Sequence, residues 1–393
     1  MAAENISPFS RRSFLQLSAA AAAVQIFTEP MLAAAARKRQ PFSKDAVMID
    51  SNENPLGPSQ SAREAISAII PLGGRYLDNL TEDLVHTFAQ IEGLNPDYVH
   101  IFPGSSPPLR FAVVAFTSPQ KSYVTADPGY EAGMMAAAAT EARVVKLPLT
   151  KTYAHDVKAM IAAAPDAGLF YICNPNNPTG TLTPHSDIEY LIENKPKGSI
   201  VMVDEAYLHF CDAPSTLDFV KAGKDVVVLR TFSKTYGMAG LRCGFAIARP
   251  DLLDKITDRS GWNFMPVTAV AAASASLKDP SVVPERRRIN AAVRQETFQW
   301  LDRNGYSYIP SESNCFLLDT KRPGKQVIDA MAQQNVFIGR IWPIMPTCVR
   351  VTVGTHDEME KFQAALQKSM RGATAFSLPV APRSGHSRRI LPS

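Results

Sequence analysis

Between residues 97 and 265 the sequence alternates short apolar runs with helical segments, and this alternation restricts the fold more than any other feature. Seven runs bounded by turn residues are predicted strands: 99–102, 122–125, 143–147, 168–173, 200–203, 226–231 and 244–248. Helices are predicted between them at 106–117, 129–140, 156–164 and 184–193. Several runs are apolar at nearly every position, as in strands covered on both faces. The pattern predicts an α/β fold with a mainly parallel seven-stranded sheet between helices and with ligands at the carboxyl ends of the strands.

A smaller α+β domain is predicted after Met265, where the alternation stops. Helices are expected at 267–277, 282–304, 325–334 and 356–370, with short strands near 308 and at 315–318, 336–338 and 349–353. We therefore expect five segments: a signal peptide (1–36), an N-terminal segment that joins the small domain (37–70), a large ligand-binding domain (71–270), the small domain (271–372) and a disordered tail (373–393).

Charge and cysteine content exclude several classes of protein. The chain carries 41 Lys and Arg against 37 Asp and Glu, and this small excess is not clustered in the body of the chain, so nucleic acid is not an expected partner. The five cysteines have neither zinc-binding spacing nor an even number. We expect buried thiols and no metal site.

The N-terminus has the features of an export signal. Arg11 and Arg12 precede an apolar run at 17–27, and residues 33–36 offer a small-residue cleavage site. The run is too short for a stable membrane anchor. The arginine pair resembles the twin-arginine signal of folded exported proteins, which predicts a periplasmic location and the twin-arginine export machinery as a partner. The alternative is a chance arginine pair in a frayed amphipathic N-terminus.

The most informative segment runs from 231 to 244 and has Lys234 just past a predicted strand. Partial desolvation there lowers the pKa of the amine and makes it a nucleophile. Thr231 and Ser233 add hydroxyl groups and Arg242 adds a cation, so these residues can hold a phosphate while the lysine forms a Schiff base. The alternative is a surface lysine in a glycine-containing loop.

Two other strand ends carry polar residues. Asp204 is placed to pair with a protonated ring nitrogen, and Tyr207 can direct its hydroxyl at a ring oxygen. Asn177, in a turn with two prolines and a glycine, can present its amide to a ligand. The alternatives are a helix N-cap for Asp204 and a simple turn around Asn177.

The order and spacing of these segments resemble one family. Asn-Pro-Asn-Asn-Pro-Thr-Gly (174–180), Asp-Glu-Ala-Tyr (204–207) and Ser-Lys-Thr-Tyr-Gly-Met-Ala-Gly-Leu-Arg (233–242) resemble motifs of fold-type I, class I/II pyridoxal-phosphate-dependent aminotransferases, over about residues 46–370. Residues 51–58, 75–78 and 349–355 resemble the histidinol-phosphate aminotransferase subgroup. The resemblance implies a transaminase that moves an amino group between an amino acid, or a histidinol-phosphate-like amine, and a 2-oxo acid.

The resemblance also implies a role for each matching residue. Lys234 is expected to form the Schiff base with pyridoxal 5'-phosphate and to move the proton, while Asp204 and Tyr207 complete the catalytic set. The other implied cofactor contacts are Asn177, Tyr130, Ser105, Ser106, Thr231, Ser233, Arg242 and, across a homodimer, Tyr76. The implied substrate residues are Arg350, Arg340, Asn52, Asn54 and Trp342.

Departures from the subgroup leave the substrate open. Pro107 and Pro108 remove backbone donors at a helix start that can face a phosphate. Trp342 is bulkier than expected, and it either narrows the pocket, stacks on a planar substrate or belongs to the small-domain core. The predicted export also separates this chain from cytoplasmic histidine biosynthesis, so aromatic amino acids and precursors of secondary metabolites are alternative donors. A decarboxylase, lyase or oxidase on the same scaffold is the alternative enzyme, and a non-catalytic binding protein is the alternative outside enzymes.

Overall fold

The computed structural model describes residue 43 and residues 45–261 and 264–371. The predicted export signal over 1–36 and the predicted tail over 373–393 lie outside the described residues. All strands and helices of the described residues belong to the compact unit that begins at Val47. Among these helices, none combines the length and the apolar composition that crossing a bilayer requires.

The described residues form strands and helices with the following bounds. The strands are β1 (Val47–Ile49), β2 (Val99–Phe102), β3 (Ser122–Asp127), β4 (Val144–Pro148), β5 (Ala167–Cys173), β6 (Ile200–Asp204), β7 (Val226–Thr231), β8 (Gly244–Ile247), β9 (Ser307–Ile309), β10 (Cys315–Asp319), β11 (Val336–Ile338) and β12 (Cys348–Thr352). The helices are α1 (Gln60–Ile69), α2 (Asp78–Glu92), α3 (Ser106–Phe116), α4 (Ala132–Ala138), α5 (Val157–Ala163), α6 (His185–Asn194), α7 (Leu217–Lys221), α8 (Pro250–Thr257), α9 (Val267–Lys278), α10 (Val282–Arg303), α11 (Gly324–Ala332) and α12 (His356–Arg371).

A seven-stranded sheet forms the centre of the larger part of the fold, in the order β2-β8-β7-β6-β5-β3-β4. Neighbouring strands from β7 to β4 are parallel, and β8 runs antiparallel to both β7 and β2. All residues of β5, β6 and β7 are buried, because apolar clusters that include residues of the surrounding helices cover both faces of the sheet. The predicted α/β fold and its mainly parallel seven-stranded sheet are therefore confirmed.

Helices α1, α2, α7 and α8 were not among the predicted elements. Helix α2 buries Leu84 and Phe88 on one face and ends at Gly93, whose φ of 64° is the left-handed conformation that favours glycine at a helix end. Its apolar spacing of four residues is the helical signal that was available in the sequence. These helices add to the layer that covers the sheet and leave its topology unchanged.

Two smaller sheets lie outside the central one. Strands β12, β10 and β9 form an antiparallel sheet, and β1 pairs in parallel with β11. Helices α10, α11 and α12 contribute to a separate apolar cluster with these strands, centred on Phe316, Phe362 and Val349. The predicted domain boundaries at 70/71 and 270/271 remain predictions.

The carboxyl ends of β5, β6 and β7 lie side by side at one edge of the central sheet. These strands are parallel neighbours that end at Cys173, Asp204 and Thr231. The backbone N–H of Asn174, just past β5, donates a 2.9 Å hydrogen bond to the carbonyl of Asp204. The three motifs that follow these strands therefore meet in space.

Candidate active site

Lys234 lies three residues past the end of β7. Its Nζ donates hydrogen bonds to the carbonyl oxygens of Asn52 (3.0 Å) and Ser51 (3.4 Å). Burial, and next the guanidinium of Arg350, lower the pKa of Lys234 to about 8. A lysine with this pKa is partly neutral at neutral pH, and the neutral amine is a nucleophile.

Asp204 is a buried carboxylate at the end of β6, with 4% of its surface exposed. Its Oδ2 accepts a 2.9 Å hydrogen bond from the Tyr171 hydroxyl, and its Oδ1 accepts one of 3.1 Å from the backbone N–H of Ala206. Burial raises its pKa to about 6, and the two hydrogen bonds and Lys234 oppose that rise. Tyr207 occupies the N-cap position of the 3₁₀ turn that follows, so the alternative interpretation of Asp204 as a helix N-cap is wrong.

Asn52 connects Lys234 to Tyr207. The Asn52 Nδ2 donates a 3.0 Å hydrogen bond to the Tyr207 hydroxyl oxygen, and Lys234 Nζ lies 5.6 Å from the centre of the Tyr207 ring. The Thr352 hydroxyl accepts from the Asn52 backbone N–H (2.9 Å) and lies 3.2 Å from Asn52 Oδ1. Because Asn52 donates a hydrogen bond to the Tyr207 oxygen, the O–H of Tyr207 is available to donate a hydrogen bond elsewhere.

Asn177 and Arg350 are in direct contact. Arg350 Nη1 donates a 3.0 Å hydrogen bond to Asn177 Oδ1, and Nη2 donates one of 2.6 Å to the carbonyl of Asp50. The Arg350 Nε is buried and has no hydrogen-bond partner among the described residues. Burial lowers the pKa of Arg350, and the charge of Glu131, which forms an ion pair with Arg340, opposes this shift.

Arg242 and Ser233 lie beside the start of α3. Arg242 Nη1 lies 3.4 Å from Ser233 Oγ, and Nη2 donates to the carbonyl of Pro103 (3.0 Å). Ser233 is also bonded to Thr231, whose hydroxyl donates to Ser233 Oγ (3.0 Å). At Gly104, φ is 93° and a Cβ would collide with the Arg242 guanidinium, so only glycine lets the chain pass this close.

Ser105 and Ser106 are the N-cap and the first residue of α3. The Ser106 and Tyr130 hydroxyl oxygens are 3.4 Å apart, so the helix start, Tyr130 and the Arg242 side chain are grouped at one place. Unpaired backbone N–H groups at a helix start attract anions. Pro107 and Pro108 lack an N–H, so they contribute no donor to that group.

Trp342 is buried, with 2% of its surface exposed, and it packs among the apolar side chains of Ile309 and Leu317. Its Nε1 donates a 2.9 Å hydrogen bond to the carbonyl of Gly129, next to Tyr130. Of the three interpretations of Trp342, membership of the core is the one that its burial supports.

The remaining candidate residues are Arg340, Asn54 and Tyr76. The Arg340 Nη2 forms a 2.6 Å ion pair with Glu131, and Asn54 Nδ2 donates to the carbonyl of Thr235 (3.0 Å). Tyr76 is 71% exposed and stacks on Phe264 with ring centres 4.8 Å apart, and no hydrogen bond links it to the site within the described residues. Tyr76 is therefore not part of the site formed by its own chain.

Three residues of the site were missed by the sequence analysis. The Tyr171 hydroxyl donates a hydrogen bond to Asp204, and the Thr352 hydroxyl accepts one from the Asn52 backbone N–H. The Sγ of Cys315 accepts a 3.1 Å hydrogen bond from Asn52 Nδ2. The signal in the sequence that could have identified Tyr171 was a tyrosine within the otherwise apolar strand β5.

All five cysteines are buried and unpaired, which confirms the prediction of buried thiols. No group of acids, histidines and cysteines in the described ranges is arranged to hold a metal ion.

Comparison with known proteins identifies the family. The model of the family "Aminotransferase class I and II" matches residues 44–366. The histidinol-phosphate aminotransferase of Moorella thermoacetica is 33% identical over 335 residues, covering 83% of this chain and 86% of that protein. The histidinol-phosphate aminotransferase of Symbiobacterium thermophilum is 34% identical over 330 residues, covering 83% and 91%.

A solved structure agrees with these sequence matches. The histidinol-phosphate aminotransferase from Sinorhizobium meliloti, in complex with pyridoxal-5'-phosphate, aligns with a TM-score of 0.76 and 26% identity, covering 83% of this chain and 91% of that one. All candidate site residues lie within the range that the family model matches. The chain therefore belongs to the class I and II aminotransferase family and is a pyridoxal-phosphate-dependent transaminase.

Proposed function

We propose that the amino donor of this transaminase carries an anionic group, that Arg350 binds this group, and that histidinol phosphate is the first candidate donor. The acceptor is a 2-oxo acid. The names of the two curated relatives support histidinol phosphate. They do not favour the alternative of a decarboxylase, lyase or oxidase.

The observation that carries the proposal is the buried guanidinium of Arg350. Its hydrogen-bond partners are an amide oxygen of Asn177 and a backbone carbonyl of Asp50, both of which are neutral groups. A buried cation is costly without an anionic partner. A planar guanidinium matches a carboxylate or phosphate with two parallel hydrogen bonds. A substrate anion satisfies both requirements.

The residues around this position fit pyridoxal phosphate. Asp204 is a buried carboxylate that suits a protonated ring nitrogen, and its raised pKa indicates that the present surroundings stabilise its charge incompletely. Arg242, Ser233 and the start of α3 suit a phosphate. Tyr207 has a phenol proton to give to a ring oxygen. These side chains and the helix start thus match the three polar parts of the cofactor.

When bound, pyridoxal phosphate supplies an electron-withdrawing ring that stabilises negative charge at the α-carbon of the donor. Lys234 Nζ is the amine that holds the cofactor and moves a proton, because its pKa of about 8 leaves it partly neutral. The ionised carboxylate of Asp204 supplies the negative charge that suits a protonated ring nitrogen. Arg350 orients the donor, and Asn52 holds Tyr207 and Lys234 together.

A matched pair of donors tests the proposal. We expect kcat/KM for histidinol phosphate, with 2-oxoglutarate as acceptor, to exceed that for histidinol by roughly 10-fold or more, since one charge-assisted contact contributes about 1.5–3 kcal/mol. In Arg350→Met this difference should disappear, whereas it should persist in Arg143→Met, an exposed arginine paired with Asp166. Equal use of both donors by the unaltered enzyme contradicts the proposal, and use of aromatic amino acids alone contradicts only its choice of phosphate.

We also propose that the protein is exported by the twin-arginine route and acts in the periplasm. Arg11 and Arg12, the apolar run at 17–27 and the small residues at 33–36 support this route. The five buried thiols suit a protein that folds before export. Fractionation of a bacterium that carries the twin-arginine machinery should recover a periplasmic form starting near Arg37, and R11K/R12K should retain the chain in the cytoplasm. Cytoplasmic recovery of the unaltered chain with an uncleaved N-terminus contradicts export.

We propose further that Tyr76 completes the phosphate site of a second subunit in a homodimer. Its exposed ring and the adjacent Phe264 support a subunit contact. Mixed dimers of Lys234→Ala and Tyr76→Ala test this. If Tyr76 acts across the interface, each mixed dimer contains one intact site, and activity exceeds that of both parents. If it acts within its own chain, mixing leaves no intact site and gives no gain.

A further inference from the structure

Tyr171 lies in the middle of β5, with 1% of its surface exposed. Strand β5 pairs in parallel with β6, where Met202 is the partner of Tyr171 and Asp204 lies two residues further on. The Tyr171 hydroxyl donates a 2.9 Å hydrogen bond to Asp204 Oδ2. A phenol inside an apolar strand needs a partner when it is buried, and here that partner is the carboxylate of the candidate active site.

This hydrogen bond fixes the carboxylate in two ways. With Tyr171 on Oδ2 and the Ala206 N–H on Oδ1, both oxygens are held and the plane of the carboxylate cannot rotate freely. An ionised carboxylate has about four acceptor positions, so two remain for a ligand. Both donors also favour the ionised form, against the burial that raises the pKa of Asp204 to about 6.

We propose that Tyr171 is a positioning residue that holds the Asp204 carboxylate in the orientation and the ionised state in which it accepts an N–H from the cofactor ring. Tyr171 acts through Asp204 and needs no contact with the cofactor. The inference rests on the proposed role of Asp204.

Other titratable groups near Asp204 influence its charge less directly. Lys234 lowers its pKa and Glu205 raises it, and Glu205 is itself neutralised by a 2.6 Å ion pair with Arg230. The buried groups that sense the charge of Asp204 electrostatically are Tyr123, Tyr171, Cys173 and Lys234. Lys234 has its pKa near 8, so a measurement at pH 6 detects Asp204 with Lys234 charged.

Tyr123 on β3 provides a matched control. It is as deeply buried as Tyr171, in the same sheet, with ring centres 6.3 Å apart. Its hydroxyl forms no hydrogen bond with Asp204. Tyr123→Phe and Tyr171→Phe therefore remove the same atom from the same core, and only the second removes a donor from Asp204.

The experiment measures the equilibrium affinity of the apoenzyme for pyridoxal phosphate at pH 6 and pH 8, in the unaltered enzyme and both variants. Loss of one hydrogen bond to a charged group raises the Asp204 pKa by about one unit, so binding by Tyr171→Phe should weaken about fivefold more at pH 6 than at pH 8. Any loss of affinity that remains at pH 8 reflects the lost orientation of the carboxylate. Tyr123→Phe should follow the unaltered enzyme at both pH values. A loss in Tyr171→Phe that is equal at both pH values indicates a merely structural role and overturns the proposal.

A second readout needs no cofactor. Urea unfolding of the apoenzymes should show that Tyr171→Phe loses more stability at pH 8 than at pH 5, because the missing donor stabilises only the ionised carboxylate. The pH-dependent loss in affinity must also vanish in an Asp204→Asn background. If Asp204→Asn binds the cofactor as well as the unaltered enzyme, the proposed role of Asp204 fails. If Asp204→Asn is impaired while Tyr171→Phe matches Tyr123→Phe, only the inference about Tyr171 fails.

Discussion

The guanidinium of Arg350 lies over the indole ring of Trp342, with 5.8 Å between the guanidinium carbon and the ring centre. Arg340 lies over the same ring at 5.1 Å. The indole is fixed by its hydrogen bond to Gly129, so it is a rigid aromatic surface beside two cations. We infer that Trp342 influences the substrate by orienting Arg350, since it is itself buried.

Trp342→Phe should raise the KM of an anionic donor by roughly 3- to 10-fold, because the ring remains but the hydrogen bond to Gly129 and part of the cation–π attraction are lost. The absorption band of the bound cofactor should not change. Trp300→Phe is the control, since Trp300 stacks on Tyr306 within another cluster. An unchanged KM in Trp342→Phe contradicts the orienting role.

Arg350→Lys should raise the KM of donor and acceptor by roughly 10- to 100-fold. The lysine keeps the charge but loses the planar pair of donors, and one charge-assisted hydrogen bond contributes about 1.5–3 kcal/mol. Steady-state kinetics with the donor and the 2-oxo acid varied separately measure the effect. A variant that lowers kcat alone, with both KM values unchanged, argues that Arg350 does not bind the substrate anion.

The pKa of about 8 for Lys234 predicts how fast the apoenzyme takes up pyridoxal phosphate at each pH. The neutral amine is the reactive form, so the rate should rise with pH and level off above about 8. Because Arg350 contributes to the lowered pKa, Arg350→Met should move this transition to higher pH. Stopped-flow absorbance follows the uptake. A transition that stays at the same pH in Arg350→Met would show that the two charges do not interact.

Asp204→Asn should stabilise the apoenzyme at neutral pH. Burial raises the Asp204 pKa from 3.8 to about 6, so the folded state binds more protons than the unfolded state between these values. The unfavourable contribution of the ionised group is therefore absent below pH 3.8 and fully present above about 6, where it amounts to roughly 3 kcal/mol. Urea unfolding should show a gain for Asp204→Asn at pH 7 that shrinks towards pH 4.

The exposed residue Asp254 provides the control for this change, since Asp254→Asn removes a carboxylate that is in contact with solvent. The same Asp204→Asn variant should lose transaminase activity by roughly 100-fold or more, as expected for removal of a charge that a reaction depends on. The account is contradicted if the gain in stability of the Asp204→Asn apoenzyme over the unaltered apoenzyme is smaller at pH 7 than at pH 4.

The sequence was sufficient to predict how Lys234, Asp204 and Asn177 come together. Each lies at the end of a buried strand or within a few residues after it. Because neighbouring parallel strands end at the same edge of a sheet, the three motifs lie close together in space. The contacts of Asn52 were not predictable in this way. Asn52 meets Thr352 across 300 residues of chain, through the small sheets, and no local spacing encodes that approach.

Tyr171 and Trp342 show a second limit of sequence reasoning. Tyr171 satisfies the apolar pattern of β5, and only its hydrogen bond to Asp204 distinguishes it from the other buried residues of that strand. From the sequence alone, Trp342 could be assigned either to the wall of the substrate pocket or to the core. Its burial and its contacts with two guanidiniums became visible only in three dimensions.

The most direct test of the central claim is a single turnover with the purified enzyme loaded with pyridoxal phosphate. We predict that histidinol phosphate, added without acceptor, converts the cofactor from its aldehyde to its amine form, with one keto product per site and no release of ammonia or carbon dioxide. Added 2-oxoglutarate should then restore the aldehyde form and yield glutamate. Lys234→Ala should abolish the reaction, whereas Lys224→Ala, an exposed lysine paired with Glu193, should not. Release of ammonia or carbon dioxide in place of amino transfer, or full turnover by Lys234→Ala, would contradict the account.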